Sequence, residues 1–175
     1  MKLAMIFPGI GYTFDKPLLY YSQKLLSSEY EVIRIQYGQL PKIDIKDVFE
    51  IAYQRVWEMY KDFDFSKYDS IVCISKSVGT AISTRLDQNL NLQAKHVLYT
   101  PIEITFRYAR SGIAFSGTKD PWVDFSIVQN NCDTYDIPLY VYPDCNHSLE
   151  CQNIEKDIQT IQEVMKYTLK FLETL

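Results

Sequence analysis

Residues 71–80 decide the fold and read Ile-Val-Cys-Ile-Ser-Lys-Ser-Val-Gly-Thr. The apolar run from Ile71 to Ile74 predicts a buried strand, and a helical pattern begins at Val78, directly after Ser77. A buried strand that enters a helix through a tight turn is typical of an α/β domain. Ser77 therefore lies where a predicted strand ends and a predicted helix begins.

The rest of the chain repeats this alternation of short apolar runs and helical patterns. The runs predict strands at residues 3–7, 30–37, 70–74, 97–100, 113–116 and 139–142. Helices are predicted between them: one is capped by Asp15 with Pro17 in its first turn, and one spans residues 78–86. Two more helices are predicted from apolar residues at helical spacing. One contains Val48, Ala52, Val56 and Met59. The last helix has, on one face, Ile154, Ile158, Ile161, Met165, Leu169 and Leu172.

These strands are apolar throughout, which is typical of strands that are covered by helices on both faces. We therefore predict one α/β domain over residues 1–175. It is a three-layer sandwich with an open, mostly parallel sheet of about six strands. In such sheets ligands bind at the carboxyl ends of the strands, which restricts where functional residues can lie.

Composition excludes several classes of protein. The net charge of −4 and pI near 5.2 argue against a nucleic-acid partner. No apolar run approaches the ~20 residues of a membrane helix, and the first run is too short for a signal peptide, so we expect a cytoplasmic protein without a membrane partner. We interpret the four cysteines as reduced thiols. Cys145, His147 and Cys151 match no common zinc spacing, so no metal or other cofactor is predicted.

Ser77 has the surroundings of a nucleophile. A serine on a strained turn between strand and helix needs small neighbours, and Ser75 and Gly79 are small. The helix behind it offers backbone N–H groups to a developing oxyanion. The alternative interpretation is an ordinary turn between a strand and a helix, where small residues are also common.

A serine nucleophile requires a base, and the chain has two histidines. His96 precedes its strand and so lies at the amino edge of the sheet. His147 follows the strand at residues 139–142 and lies at the same edge as Ser77. His147 is therefore the predicted base, although a solvent-facing loop histidine would also fit this position.

The base requires an acid that orients it. Asp120 follows the strand at residues 113–116 and is the predicted acid, with a plain turn before proline as the alternative. Asp124 lies further from that strand, and Asp144 is too close in sequence to His147. Serine, aspartate and histidine then follow in the chain order of α/β-hydrolases.

The first strand leads into a glycine-containing loop, residues 8–12. Its backbone could supply an oxyanion donor at Ile10, beside the N–H of Val78. A dinucleotide-binding loop is the alternative, but Phe14 occupies the place of its third glycine. The glycine spacing of a Walker loop is absent as well.

Nearly the whole chain resembles the α/β-hydrolase superfamily, in a small branch without a lid. The residues that carry the resemblance are Pro8-Gly9-Ile10-Gly11, Ser75-Lys76-Ser77-Val78-Gly79, Gly117-Thr118-Lys119-Asp120 and Asn146-His147-Ser148. The resemblance implies a triad of Ser77, Asp120 and His147 and an oxyanion hole at Ile10 and Val78. Ser75 replaces the usual first glycine of the elbow.

We expect hydrolysis of small acyl esters through an acyl-serine, with a small-molecule ester as the partner. The expected pocket residues come from the loops at the carboxyl edge: Gly9, Tyr12, Glu103, Phe106 and Trp122. Thioester or amide cleavage by the same triad remains an alternative, as do a binding module without activity and a nucleotide-binding domain.

Overall fold

A computed structural model describes residues 1–174. Six parallel strands form one sheet in the order β2-β1-β3-β4-β5-β6. The strands are β1 Lys2–Phe7, β2 Tyr30–Arg34, β3 Ser70–Lys76, β4 Lys95–Tyr99, β5 Ile113–Gly117 and β6 Leu139–Tyr142. The predicted sheet is confirmed, and its four central strands, β1, β3, β4 and β5, are the most buried.

The helices lie on both faces of this sheet. They are α1 Pro17–Leu25, α2 Ile45–Tyr60, α3 Val78–Leu90, α4 Phe125–Thr134 and α5 Ile154–Leu172, with a 3₁₀ helix at Glu103–Arg107. Helices α1 and α5 pack on one face, and α2, α3 and α4 pack on the other. None of the helices within residues 1–174 is both long and apolar enough to cross a membrane.

The even-numbered residues of β1 and β3 point to the α1–α5 side and the odd-numbered ones to the α2–α3 side. Ile6 and Ile74 thus share a core with Leu18 and Leu19 of α1, whereas the ring of Phe7 packs under α3. This alternation follows from the pleat of a strand. It sends the side chain of Lys76, the last residue of β3, toward the α1–α5 side.

One local prediction is wrong, and two features of the helices were not predicted. Lys16 rather than Asp15 is the residue that precedes α1, and its side chain makes no capping bond. Helix α4 has no counterpart among the predicted elements, because only Val128 and Cys132 are buried on it. In α5, the apolar face is buried mainly toward its carboxyl end, since Ile154 is 73% exposed and Ile158 62% exposed.

Candidate active site

The turn between β3 and α3 holds Ser77 in a strained conformation. Its φ of 55° and ψ of −124° lie in a region that non-glycine residues rarely adopt. Gly79 lets the turn pack against the end of β1, because a Cβ there would lie 2.6 Å from the carbonyl oxygens of Phe7 and Pro8. Thr80 fixes the turn from the helix side: its N–H and its hydroxyl both donate to the Ser77 carbonyl, at 2.9 and 2.5 Å.

Ser75 occupies the position before the turn where the resemblance favours glycine. Its side chain is fully buried, and its hydroxyl lies 3.0 Å from the Ser83 hydroxyl and 3.3 Å from the Val97 carbonyl oxygen. A buried hydroxyl is tolerated when it is hydrogen-bonded. The serine side chain is therefore accommodated between α3 and β4, and the elbow keeps its shape.

Two loops carry the other candidate residues and are held against each other. Asp120 follows β5 and His147 follows β6. The Lys119 N–H donates to the Cys145 carbonyl at 3.0 Å, and a Cβ on Gly117 would lie 2.2 Å from that same oxygen. Only glycine allows the loops to approach so closely, and this approach sets the distance between the carboxylate and the imidazole.

Ser77, His147 and Asp120 form a continuous hydrogen-bonded chain. His147 Nδ1 lies 2.6 Å from Asp120 Oδ2, and His147 Nε2 lies 2.8 Å from Ser77 Oγ. A carboxylate only accepts, so Nδ1 carries the proton and Nε2 accepts from the serine hydroxyl. The second oxygen of Asp120 accepts from the Trp122 N–H at 2.9 Å, which fixes the carboxylate.

The rival residues lie elsewhere. Asp124 caps α4 and accepts from the N–H and hydroxyl of Ser126, both at 2.8 Å. Asp144 forms an exposed ion pair with Lys119 at 2.7 Å. His96 is buried beside the amino end of its strand, where Nε2 lies 2.9 Å from Asp87 Oδ2. The side chains brought together are therefore the three that the sequence places at one sheet edge.

The loop after β1 closes over the elbow. Gly9 and Tyr12 exchange backbone hydrogen bonds of 3.2 and 3.3 Å, which leaves Ile10 and Gly11 at the tip of the turn. Gly9 is buried against the elbow, since a Cβ there would lie 3.3 Å from Ser77 Cβ. Ile10 thus follows a residue in contact with Ser77, and Val78 begins α3, where N–H groups have no acceptor within the helix.

A cleft of about 310 Å³ opens above Ser77. Of the expected pocket residues, Tyr12 and Trp122 line it, together with Ile10, Gly11, Lys76, Ser77, Pro121, Asn146, His147 and Ser148. Gly9 does not line it, because it packs against Ser77, and the prediction of Glu103 and Phe106 as pocket residues is wrong. The 3₁₀ helix turns them away: Phe106 is buried against α4, and Glu103 faces solvent.

No protein-family model matches the sequence, and no curated protein matches it significantly. Solved structures do match the fold. A proposed hydrolase of the alpha/beta superfamily from Xanthomonas campestris pv. campestris aligns over 99% of this chain and 98% of its own, with a TM-score of 0.72 and 14% identity. The chain has the α/β-hydrolase fold.

Two further structures show the same fold. An a/b serine hydrolase without a lid, from Xanthomonas campestris, aligns over 95% of this chain and 81% of its own, with a TM-score of 0.61 and 15% identity. Est1E from Butyrivibrio proteoclasticus, in a structure with bound ferulic acid, aligns over 99% and 90%, with a TM-score of 0.67 and 12% identity.

Within this α/β-hydrolase fold, the environment of His147 favours its neutral form. Burial lowers the pKa of the imidazole below its usual 6.5, and the nearby Lys76 charge lowers it further. The hydrogen bond to Asp120 and the charge of that carboxylate act in the opposite direction. The net lowering keeps the imidazole able to accept a proton at neutral pH.

Lys76 is the functional candidate that sequence reasoning missed. It is fully buried, its Nζ makes no hydrogen bond within residues 1–174, and it lies 4.9 Å from the centre of the Tyr12 ring. Burial lowers its pKa from 10.5 to about 7, against the opposing charge of Asp120. A signal was present in the sequence, because a lysine at the end of a buried apolar strand is unusual.

The cysteine–histidine grouping does not form a metal site. Within the described residues, no three His, Cys, Asp or Glu side chains converge as metal ligands. Cys151 instead donates from its backbone N–H to Asp157 at 2.7 Å, and Cys145 is buried. The thiols of all four cysteines are free.

Proposed function

We propose that this protein is a serine hydrolase that cleaves small acyl esters, with Ser77 as nucleophile, His147 as base and Asp120 as its orienting acid. The observation that carries the proposal is the hydrogen-bonded chain from Ser77 Oγ to His147 Nε2 and from His147 Nδ1 to Asp120 Oδ2, at 2.8 and 2.6 Å. The strained backbone of Ser77 supports it, since such strain is concentrated at functional sites.

The acylation step follows from this geometry. Ser77 Oγ attacks the ester carbonyl carbon while His147 Nε2 takes the hydroxyl proton. The carbonyl oxygen becomes an oxyanion, for which the N–H groups of Val78 and Ile10 are the proposed donors. The tetrahedral intermediate then collapses, the bond to the alcohol oxygen breaks, and His147 returns its proton to the leaving alcohol.

Deacylation repeats these steps with water. His147 removes a proton from a water molecule, whose oxygen attacks the acyl carbon, and the collapse releases the acid and restores the Ser77 hydroxyl. Asp120 keeps Nδ1 protonated throughout and stabilises the imidazolium. The carboxylate can do this because its side chain is fully buried and both of its oxygens are bonded.

A fluorophosphonate probe tests the proposed nucleophile directly, because it labels only an activated serine. We expect covalent labelling of the wild-type protein at Ser77 and none of Ser77→Ala. The Ser77→Ala variant should lose about 10⁴-fold or more of its turnover on p-nitrophenyl butyrate, because the nucleophile and base act as a unit. Its melting temperature should barely change, because alanine fits the space of serine.

Ser148→Ala is a matched control, since Ser148 lines the same cleft but lies outside the hydrogen-bonded chain. It should keep both labelling and turnover. Near-normal turnover by Ser77→Ala, or labelling that persists in it, would refute the assignment. Thioester and amide analogues of the same acyl group, assayed in parallel, show which acyl bond is cleaved fastest.

A further inference from the structure

The residues that line the cleft above Ser77 include one lysine and no acidic side chain. Among the residues that line it, Lys76 is the only lysine, arginine, aspartate or glutamate. The side chain of Asp120, the nearest acid of the site, is fully buried behind His147 and does not line the cleft. The lining of the cleft therefore offers a ligand one potential cation and no competing anion.

The Lys76 ammonium also lacks a partner. No acceptor within residues 1–174 bonds Nζ, and the side chain is fully buried. Asp120 is near enough for its charge to raise the pKa of Lys76, but neither of its oxygens forms a hydrogen bond with Nζ. A buried ammonium without an acceptor is costly, so an unpaired one at an active site indicates a group that arrives with the ligand.

We propose that this cleft selects esters that carry a carboxylate, and that the Lys76 ammonium donates the hydrogen bonds that hold this carboxylate. The proposal rests on the proposed ester hydrolysis and names its substrate class. Lys76 lines the same cleft as Ser77, and its charge acts on Asp120 and His147, so a carboxylate bound to Nζ lies close to the carbonyl that Ser77 attacks. The substrate is therefore a short ester such as the monoester of a small dicarboxylic acid.

The Tyr12 ring covers the ammonium in the free protein, with its centre 4.9 Å from Nζ. A ring face near a cation partly offsets the lost hydration. Tyr12 lines the same cleft, so a carboxylate reaches Nζ when this ring shifts. Hydrogen bonds between an ammonium and a carboxylate are stronger than the ring contact, which favours the exchange.

Titratable groups from four elements surround Lys76. Tyr12 approaches from the loop after β1, Tyr99 is its register partner on β4, Asp120 follows β5 and His147 follows β6. Burial lowers the Lys76 pKa to about 7, and the Asp120 charge raises it. The preference for a carboxylate should therefore be strong at pH 6 and fade as the pH rises through about 7.

The test compares two pairs of esters that are matched in shape and differ in charge. Monomethyl succinate and methyl isocaproate place the carboxylate or its apolar counterpart on the acyl side. Acetoxyacetate and isobutyl acetate place it on the alcohol side. Rates of hydrolysis are measured from pH 6 to 9 for the wild type and for Lys76→Met, in which the side chain keeps its length and loses its charge.

We expect the wild type to prefer the anionic member of one pair at pH 6. In Lys76→Met, kcat/KM for that ester should fall by about 10- to 100-fold, as expected for a hydrogen bond to a charged group. The neutral member should fall less, because it is affected only through the influence of Lys76 on His147, and its remaining rate also shows that the variant is folded. The exposed Lys119, replaced by Met, controls for general positive charge and should leave the preference intact.

Two results would overturn the proposal: a wild type that prefers the neutral member of both pairs, or a Lys76→Met variant that loses both members of a pair equally. Binding separates this failure from that of the proposed function. Calorimetry on Ser77→Ala measures binding of each anionic ester without turnover. If an anionic ester binds to Ser77→Ala and no longer binds when Lys76→Met is added, carboxylate recognition is supported even without hydrolysis. If no anionic ester binds to Ser77→Ala although the fluorophosphonate labels the wild type, carboxylate recognition is refuted.

Discussion

Replacing Lys76 with methionine should make the folded protein more stable. The lysine is fully buried, and its Nζ bonds no acceptor within residues 1–174. Methionine fills a similar volume and leaves no polar group unsatisfied. Exchange of buried charges for apolar side chains of similar size is often stabilising, whereas most substitutions in a protein core are destabilising.

The lowered pKa of Lys76 sets the magnitude. Each tenfold change in proton affinity is worth about 1.4 kcal/mol, so a fall of the pKa from 10.5 to about 7 corresponds to about 5 kcal/mol against the charged form. Part of this is recovered from the contact of Nζ with the Tyr12 ring, which methionine loses. We therefore expect Lys76→Met to raise the free energy of unfolding by about 2–4 kcal/mol at pH 7.

The stability that Lys76→Met gains over the wild type should decrease as the pH rises. Between pH 7 and about 10, the unfolded chain binds a proton at Lys76 that the folded protein has released. Unfolding then takes up a proton, so the stability of the wild type rises with pH over this range. The variant has no such group, and its advantage should shrink by about 3 kcal/mol between pH 7 and pH 10.

Urea unfolding at pH 6, 7, 8.5 and 10, followed by circular dichroism, measures this difference. Lys119→Met removes an exposed ammonium and should change the free energy of unfolding by less than about 0.5 kcal/mol at each pH. A destabilised Lys76→Met at pH 7, or a gain that stays constant up to pH 10, would show that Lys76 is not a buried unpaired cation.

Asp120→Asn should reduce turnover by roughly 10³- to 10⁴-fold, because the imidazole loses its tautomer. Asp124→Asn, which alters only the cap of α4, should reduce it far less, and the reverse order would reassign the acid. The pH profile of kcat/KM should stay level down to pH 6.5 and fall below it, because burial and Lys76 lower the pKa of His147. An acid limb above pH 7 would contradict the lowered pKa.

Much of this site follows from the order of strands and turns. A parallel sheet brings its carboxyl ends to one edge, so the ends of β3, β5 and β6 locate Ser77, Asp120 and His147 before any distance is known. The role of Ser75 did not follow, because its acceptors Ser83 and Val97 come from other elements. Periodicity also shows which helix face is apolar without showing how far a neighbour covers it, as Ile154 in α5 illustrates.

The path of the loops was the least predictable part of the site. Glu103 and Phe106 lie after β4 at the correct edge, and the sequence alone favours them as pocket residues. The 3₁₀ helix rotates Phe106 into the core beside α4, where its burial outweighs exposure in the cleft. Trp122 differs because it follows Asp120 in a short turn, and it remains 71% exposed at the rim.

The size of the cleft predicts the preferred chain length. Its volume of about 310 Å³ is at the small end of ligand sites, and in residues 1–174 the connections at this edge are loops and one 3₁₀ helix rather than a covering domain. Each CH₂ gains about 0.8 kcal/mol only where water is excluded. We therefore expect best turnover on esters with acyl chains of about two to six carbons, and no rate increase on emulsified lipid.

A second groove could hold a longer acyl chain and so tests the predicted preference for short ones. It lies between α1 and α5, has a volume of about 700 Å³, and shares Ser148 with the cleft. The exposed side chains of Tyr21, Ile154 and Ile158 line it, so a long chain that left the cleft past Ser148 would find apolar surface. p-Nitrophenyl esters of increasing length distinguish the two cases. The groove would extend the site if two results were found together. Turnover in the wild type would rise with acyl chain length, and Ile158→Asp would lose turnover on the long esters while keeping it on the short ones. Met59→Asp, on the exposed face of α2, is the matched control.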